Sequence, residues 1–272
     1  MAGDEGRESR EGALKLYREV HPGHGPFLLL VHGILSGRSL WGPNLAALAR
    51  VSRPVVVELW GHGRSPSPQE PALYDPQGYV AAFEEIRSEL GAERWLVCGQ
   101  SFGAALTLRY ALDHPERVVA QIFTNSTSAL ADREWAARTR ADAPVFAETI
   151  EREGRAALER MPIHPRWAKR LPASAREAVL ADAALLDPRG VARTLRYGVP
   201  ESSVRERVGE NRVQTLLVCG ERESRFQPLR EFAERQMPLL EVAPTDAGHA
   251  VNLEAAEAFD AAVIDFLRRA TG

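Results

Sequence analysis

Residues 94–113, RWLVCGQSFGAALTLRYALD, join a predicted strand directly to a predicted helix. Residues 95–98 form an apolar run of the length typical of a buried strand. The alanine- and leucine-rich pattern from Ala104 onward is typical of a helix that ends near His114. Between them, residues 99–103 read G-x-S-x-G with Ser101 at the centre. The strand–turn–helix order of this stretch predicts an α/β fold in which Ser101 lies at the carboxyl end of a strand.

The sharp turn at Ser101 predicts a strained serine backbone that directs the hydroxyl outward. Gly99 and Gly103 remove side chains that would collide in such a turn. The start of the following helix directs N–H groups and a positive dipole end at whatever Ser101 attacks, which suits a developing oxyanion. The pentapeptide alone also fits a structural glycine turn, but its position between a strand and a helix favours a nucleophile elbow.

Composition and charge exclude several classes of protein. The chain has 272 residues, of which 44% are hydrophobic, which suits one large α/β domain or a domain with an insertion. A net charge of −3 gives no electrostatic reason to expect nucleic acid or an anionic membrane as a partner. The first dozen residues lack the apolar core of a secretory signal, and no apolar run reaches membrane-spanning length. These features predict a cytoplasmic protein that acts on a small molecule.

No Cys/His spacing resembles a zinc site, and no nucleotide-binding motif is complete. Cys98 and Cys219 each lie in an apolar run, so both are predicted to be small buried residues. The sequence therefore predicts neither a metal nor a cofactor.

The elements before the elbow predict a parallel sheet. Residues 1–11 are expected to be a disordered arm and residues 13–20 an edge strand. The wholly apolar run 27–31 is expected to be a strand covered on both faces, and residues 53–59 the next strand.

The predicted strand at residues 27–31 runs directly into His32 and Gly33. The glycine permits a close approach of the backbone, so the N–H of Ile34, beside that of Phe102, could form a two-donor oxyanion hole. His32 itself is predicted to be a buried support for this loop.

After the elbow helix, residues 118–124 form another predicted strand, and then the strand pattern stops. Helical blocks are predicted at 133–140, 145–160, 174–186 and 189–197, divided by prolines. Strands resume at 213–220 and 239–242, and a final helix is predicted at 250–269. An insertion of this size between two strands indicates a helical lid.

The order of these parts resembles the α/β-hydrolase family. The resemblance rests on His32-Gly33, the turn at residues 61–65, the serine elbow, the helical insertion, Gly220 and Gly248-His249. It implies an α/β-hydrolase fold with a mostly parallel central sheet flanked by helices. The core would comprise residues 1–125 and 210–272, with a helical cap at 126–209 after the strand that follows the nucleophile helix. The capped esterase-like and carbon–carbon hydrolase branches are the most similar, although Ala250 stands where the latter carry tryptophan.

The family's chain order of serine, acid and histidine implies that His249 is the base for Ser101. Glu223 stands after the penultimate strand, where the family usually carries aspartate, and is the predicted acid. Asp246 and Glu221 are competing carboxylates. Asn125, at an alternative acid position, cannot supply a charge.

Aromatic residues could form the walls of an apolar pocket, and the candidates are Trp41, Trp135, Phe146 and Trp167. The predicted function is a cofactor-free serine hydrolase of esters, lactones or thioesters that works through an acyl-enzyme. Carbon–carbon hydrolysis or acyl transfer on the same fold is an alternative. A hydrolase-like binding protein without catalytic activity is an alternative of another class.

Overall fold

The computed structural model describes residues 14–272, so the predicted N-terminal arm lies outside the described residues. The strands in this range are β1 Arg18–Val20, β2 Phe27–Val31, β3 Arg53–Val57, β4 Trp95–Gly99, β5 Val118–Thr124, β6 Gln214–Gly220 and β7 Leu240–Thr245. They form one sheet in the order β1-β3-β2-β4-β5-β6-β7. Only β1 is antiparallel to its neighbour in this sheet, and every other pair is parallel. The carboxyl ends of the six parallel strands therefore meet at one edge.

Helices connect the strands and cover the sheet. They are α1 Leu45–Leu48, α2 Pro71–Tyr74, α3 Pro76–Glu89, α4 Phe102–Asp113, α5 Thr127–Leu130, α6 Arg133–Glu153, α7 Arg155–Arg160, α8 Ala173–Ala183, α9 Pro188–Arg193, α10 Gln227–Gln236, α11 Val251–Glu254 and α12 Ala256–Thr271. Short 3₁₀ segments lie at Arg38–Asn44, Pro115–Arg117, Pro165–Trp167, Val199–Glu201 and Arg205–Glu210, and a π-helical turn at Thr194–Gly198.

Both faces of the sheet are buried, as the unbroken apolar runs predict. Leu29 and Val31 of β2 pack with Phe83 of α3 on one face. Leu28 and Leu30 pack with the final helix on the other face. This alternation follows from the two-residue period of a strand, and a helix on each side is what a parallel sheet requires. The mostly parallel, helix-flanked sheet predicted from the sequence is confirmed.

Several element boundaries differ from the sequence prediction. The first edge strand has only three residues, and the last strand extends to Thr245. The sequence predicts separate helical blocks at 133–140 and 145–160, but α6 runs unbroken through Pro144. A proline inside a helix costs about 3 kcal/mol, but Ala147 and Ile150 of this helix are buried against Val191 of α9. The continuous apolar face outweighs the hydrogen bond lost at the proline.

Between β5 and β6 the described chain holds helices, turns and loops but no strand. The two ends of this insertion pack against the core, since Ala129 and Val204 share an apolar cluster with Leu108 and Phe123. The middle of the insertion has a cluster of its own, which also takes in Leu35 from the loop after β2.

One corner of the insertion lies directly on the loop after β3. A Cβ built on Gly61 would lie 2.5 Å from the Cα of Gly190, and a Cβ built on Gly190 would lie 2.4 Å from the Cα of Gly61. The Asp187 amide donates to the Gly61 carbonyl at 3.0 Å. A second link joins Asp182 of α8 to the Ser39 amide at 2.8 Å. The two backbones at Gly61 and Gly190 are thus in contact with no room for a side chain on either.

Both cysteines are buried and unpaired, as predicted. No helix within residues 14–272 is both long enough and apolar enough to span a membrane.

Candidate active site

Ser101 lies between the end of β4 and the first residue of α4, with φ 54° and ψ −119°. Apart from glycines, only Leu35 and Leu239 share a positive φ with it in the described chain. A Cβ at Gly99 would lie 2.4 Å from the Gly103 carbonyl oxygen, and a Cβ at Gly103 would lie 2.3 Å from that of Val31. The strained serine and the two glycines that permit it have the geometry expected of a nucleophile elbow.

The loop after β2 lies against this elbow. A Cβ on Gly33 would come within 2.8 Å of Ser101 Cβ, so only glycine allows the approach. Ile34 and Phe102 line the same cavity as Ser101. Within residues 14–272, neither of their backbone N–H groups donates a hydrogen bond. Two free donors therefore flank Ser101 at the positions predicted for an oxyanion hole.

Two buried histidines hold this loop in place. His32 Nε2 accepts from the Leu59 amide at 3.1 Å, and His62 Nε2 accepts from the Leu35 amide at 3.4 Å. Burial lowers the pKa of His32 to about 4. Burial, with a smaller contribution from His32, lowers that of His62 to about 3. Both rings are therefore neutral at pH 7, and each contacts a backbone carbonyl through Nδ1. They support the loop, as predicted for His32.

The structure brings Glu223 to His249. Both carboxylate oxygens lie 3.0 Å from His249 Nδ1. Burial by itself raises the pKa of Glu223. The hydrogen bond and charge of His249, with the amide of Asn125, outweigh that effect, so the pKa lies below its usual value. Glu223 is thus ionised at pH 7 and suited to orient the ring and stabilise an imidazolium.

Asn125 links the ends of β5 and β6 to this carboxylate. Its Nδ2 donates to Glu223 Oε2 at 2.8 Å and to the Gly220 carbonyl at 2.9 Å, while its Oδ1 accepts from the Gly220 amide at 2.9 Å. The residue is fully buried. An uncharged side chain at the alternative acid position therefore holds the carboxylate that comes from the next strand.

The backbone around His249 is held by a second carboxylate. Glu254 accepts from the Gly248 amide at 2.9 Å and from the Ala250 amide at 3.3 Å. The Gln100 side chain donates to the His249 carbonyl at 3.4 Å. The sequence interpretation missed Glu254, because its contacts are to backbone atoms and no motif marks them. Its spacing of five residues from His249, inside the short helix α11, was the available signal.

The competing carboxylates lie elsewhere. Asp246 is 78% exposed and pairs with Arg222, and Glu221 is 3.8 Å from Arg230. In the described residues neither makes a hydrogen bond or ion pair with His249.

A cavity of about 670 Å³ contains Ser101, His249 and Glu223 in its lining. Trp135 and Trp167 line it. The prediction is wrong for Trp41 and Phe146. Trp41 is fully buried against Phe259, and Phe146 of α6 is 60% exposed. An aromatic residue in a sequence does not reveal the face on which it lies.

Ser101 and His249 both line this cavity, although no hydrogen bond joins their side chains in residues 14–272. Such contacts are often long in ligand-free structures and shorten when substrate binds. The arrangement offers a hydroxyl, an imidazole with a carboxylate behind it, and two free N–H donors. This set is chemically suited to acyl transfer.

Comparisons with known proteins identify the family of the chain. The model of the alpha/beta hydrolase family matches residues 28–262. A putative 2-succinyl-6-hydroxy-2,4-cyclohexadiene-1-carboxylate synthase of Bacillus subtilis is 27% identical over 258 residues, which cover 90% of this chain and 92% of that protein. A pimeloyl-[acyl-carrier protein] methyl ester esterase of Nitrosospira multiformis is 30% identical over 152 residues, or 55% of this chain and 57% of the relative.

Solved structures show the same fold. MenH from S. aureus superposes with a TM-score of 0.83 at 17% identity, covering 94% of this chain and 99% of that chain. The enol-lactonase from Burkholderia xenovorans LB400 gives 0.72 at 21% identity, with 93% and 96% covered. The chain is therefore an enzyme that belongs to the alpha/beta hydrolase family.

Proposed function

We propose that this protein is a serine hydrolase that cleaves a carboxylic ester, lactone or thioester through an acyl-enzyme. The observation that carries the proposal is the contact of Glu223 with His249 Nδ1 at 3.0 Å, in the cavity that also contains the strained Ser101. An ionised carboxylate behind the imidazole leaves the other ring nitrogen free to accept a proton.

In the proposed mechanism, Ser101 Oγ attacks the substrate carbonyl while His249 Nε2 takes its proton. The Ile34 and Phe102 amides hold the negative oxygen of the tetrahedral intermediate, and each such donor can contribute about 3 kcal/mol. His249 then protonates the leaving group, and the acyl group remains on Ser101. Water activated by His249 cleaves this ester in the second half-reaction.

The helical insertion serves as the cap of this site. Trp135, His164 and Trp167 from the insertion line the cavity together with Ser101 and His249 from the core. Substrate bound at Ser101 would thus lie between the two parts of the chain.

The test is hydrolysis of short p-nitrophenyl esters by the full chain. Ser101→Ala should abolish turnover while leaving the melting temperature within a few degrees. Ser174→Ala, at an exposed serine of α8, is the matched control and should retain full activity. A fluorophosphonate probe should label the protein at Ser101. Absence of labelling and turnover would instead favour a binding protein without catalytic activity.

A second candidate is the activity named for the Bacillus subtilis relative, which matches 90% of this chain. Its named product is a carboxylate, and Lys169 and Arg170 line the cavity. No ion pair engages either of these cations in the described residues. The test is formation of that product from its precursor. Product formation without ester hydrolysis would favour the synthase, and the reverse result would favour the esterase.

A further inference from the structure

The cavity at Ser101 has two lobes of unequal size, which we call the large lobe and the small lobe. The large lobe is the cavity of about 670 Å³ described above, and the small lobe has a volume of about 110 Å³. Ser101, Ile34 and His249 line both lobes. The reacting atoms therefore lie where the two lobes join.

The two lobes differ in chemistry. The residues that line only the small lobe are all buried, carry no charge and are mostly apolar: Leu35, Ser36, Leu40, Gln100, Pro165, Val179 and Leu253. Lys169, Arg170, Glu223 and Glu254 line only the large lobe, which reaches the surface at Trp167, a residue that is 52% exposed. The small lobe is thus a recess whose own lining is buried and uncharged, and the charged residues line the large lobe.

We propose that the small lobe binds the acyl group of the substrate and restricts it to a short apolar chain. This inference rests on the proposed acyl-enzyme. During the reaction the leaving group must depart and water must enter, and the large lobe, with its charged lining and the exposed Trp167, suits both steps. The acyl group stays bonded to Ser101 throughout, so it can remain in the recess, whose own lining is buried and uncharged.

The size of the recess sets the length of the chain. An engineered cavity of about 150 Å³ holds benzene, and one molecule of liquid water occupies about 30 Å³. A lobe of about 110 Å³ therefore accepts about four non-hydrogen atoms beyond the carbonyl carbon. The substrate class that follows is an ester or thioester of a short unbranched acid with a larger polar leaving group.

The experiment is a series of p-nitrophenyl esters from acetate to octanoate, assayed with the wild-type chain. Each buried methylene should raise kcat/KM by about fourfold up to butyrate or pentanoate. Octanoate should fall at least tenfold below the optimum, because a filled recess resists further atoms. A flat profile, or one that rises to octanoate, would overturn the proposal while leaving the proposed hydrolase intact. Loss of all turnover and of Ser101 labelling would overturn both.

Val179 provides the direct test, since it is 2% exposed and lines only the small lobe. Val179→Ala should move the optimum by one or two carbons toward longer chains. Val118→Ala is the matched control, because Val118 is equally buried at the amino end of β5, at the opposite edge of the sheet. It should lower stability without moving the optimum. An unmoved optimum in folded Val179→Ala, or an equal shift in Val118→Ala, would refute the assignment of the small lobe.

Discussion

Replacing Glu223 with glutamine isolates the charge behind His249 while preserving size. Both carboxylate oxygens lie 3.0 Å from Nδ1, so the charge centres of carboxylate and imidazolium are about 4 Å apart. At an effective dielectric constant near 20 their attraction is about 4 kcal/mol, which corresponds to a rate factor of about a thousand. Solvent reduces this value, because the His249 side chain is 43% exposed.

A second effect of the substitution lowers the rate further. Asn125 donates to Oε2, so the carbonyl oxygen of a glutamine would occupy that position and its NH₂ group would occupy the other. A donor facing Nδ1 favours the histidine tautomer that carries its proton on Nε2, which cannot accept the serine proton. We therefore expect turnover of Glu223→Gln to fall by about 10³- to 10⁴-fold, the range known for loss of a triad acid.

The assay is steady-state hydrolysis of p-nitrophenyl butyrate, with circular dichroism to confirm folding. The loss should appear in kcat, with KM changed by less than about threefold, because the charge matters most once His249 is protonated. Glu221→Gln and Asp246→Asn are the controls and should retain most of their activity, since both carboxylates pair with arginines at the surface. Near-normal kcat in Glu223→Gln, or a severe loss in Asp246→Asn, would refute the assignment of the acid.

Four further outcomes follow from the contacts and pKa shifts of the site and core. Glu254→Gln leaves one of the two amides that flank His249 without an acceptor. We expect kcat to fall about tenfold with KM nearly unchanged. An unaltered kcat would exclude a positioning role for Glu254. Asn125→Leu removes a donor that lowers the pKa of Glu223, so kcat should fall at least tenfold and the acid limb of the pH–rate profile should move to higher pH. The pKa of His62 falls from 6.5 when unfolded to about 3 when folded, so its contribution to stability is complete above pH 6.5 and is lost as pH falls toward 3. His62→Gln should therefore weaken the pH dependence of the free energy of unfolding, measured with urea, between pH 6.5 and about 3. The pKa of Asp260 is raised from 3.8 to about 6, mainly by burial, so stability is instead lost as pH rises through 6. Asp260→Asn should gain up to about 3 kcal/mol at pH 8, and an equal or lower urea midpoint there would contradict this.

The sequence predicted those parts of the molecule that depend on local pattern and chain order. Ser101 lies in a motif that requires a strand on one side and a helix on the other, and both were recognisable. Glu223 follows β6, and the parallel topology then brings it to the same edge as Ser101. The apolar runs identified the strands because a strand buried on both faces has no polar positions.

The remaining features depend on packing that no local pattern encodes. Trp41 and Trp167 are equally apolar, yet one is fully buried in the core and the other is half exposed at the cavity. Pro144 signals a break in the helix, but burial of the surrounding face keeps α6 continuous. Glu254 acts on backbone amides, so its partners have no side-chain identity that a sequence could reveal.

The contact between Gly61 and Gly190 constrains how the insertion can move relative to the core. Two backbones without side chains between them cannot slide or separate by a small amount without losing both that contact and the Asp187 hydrogen bond. This corner is therefore a fixed pivot of the insertion. The cavity at Ser101 reaches the surface at Ile163 and Trp167, which are more than half exposed, so we expect substrate to enter there. A side chain as small as alanine at Gly190 would force the pivot apart and should alter access to the site without changing a single reacting group.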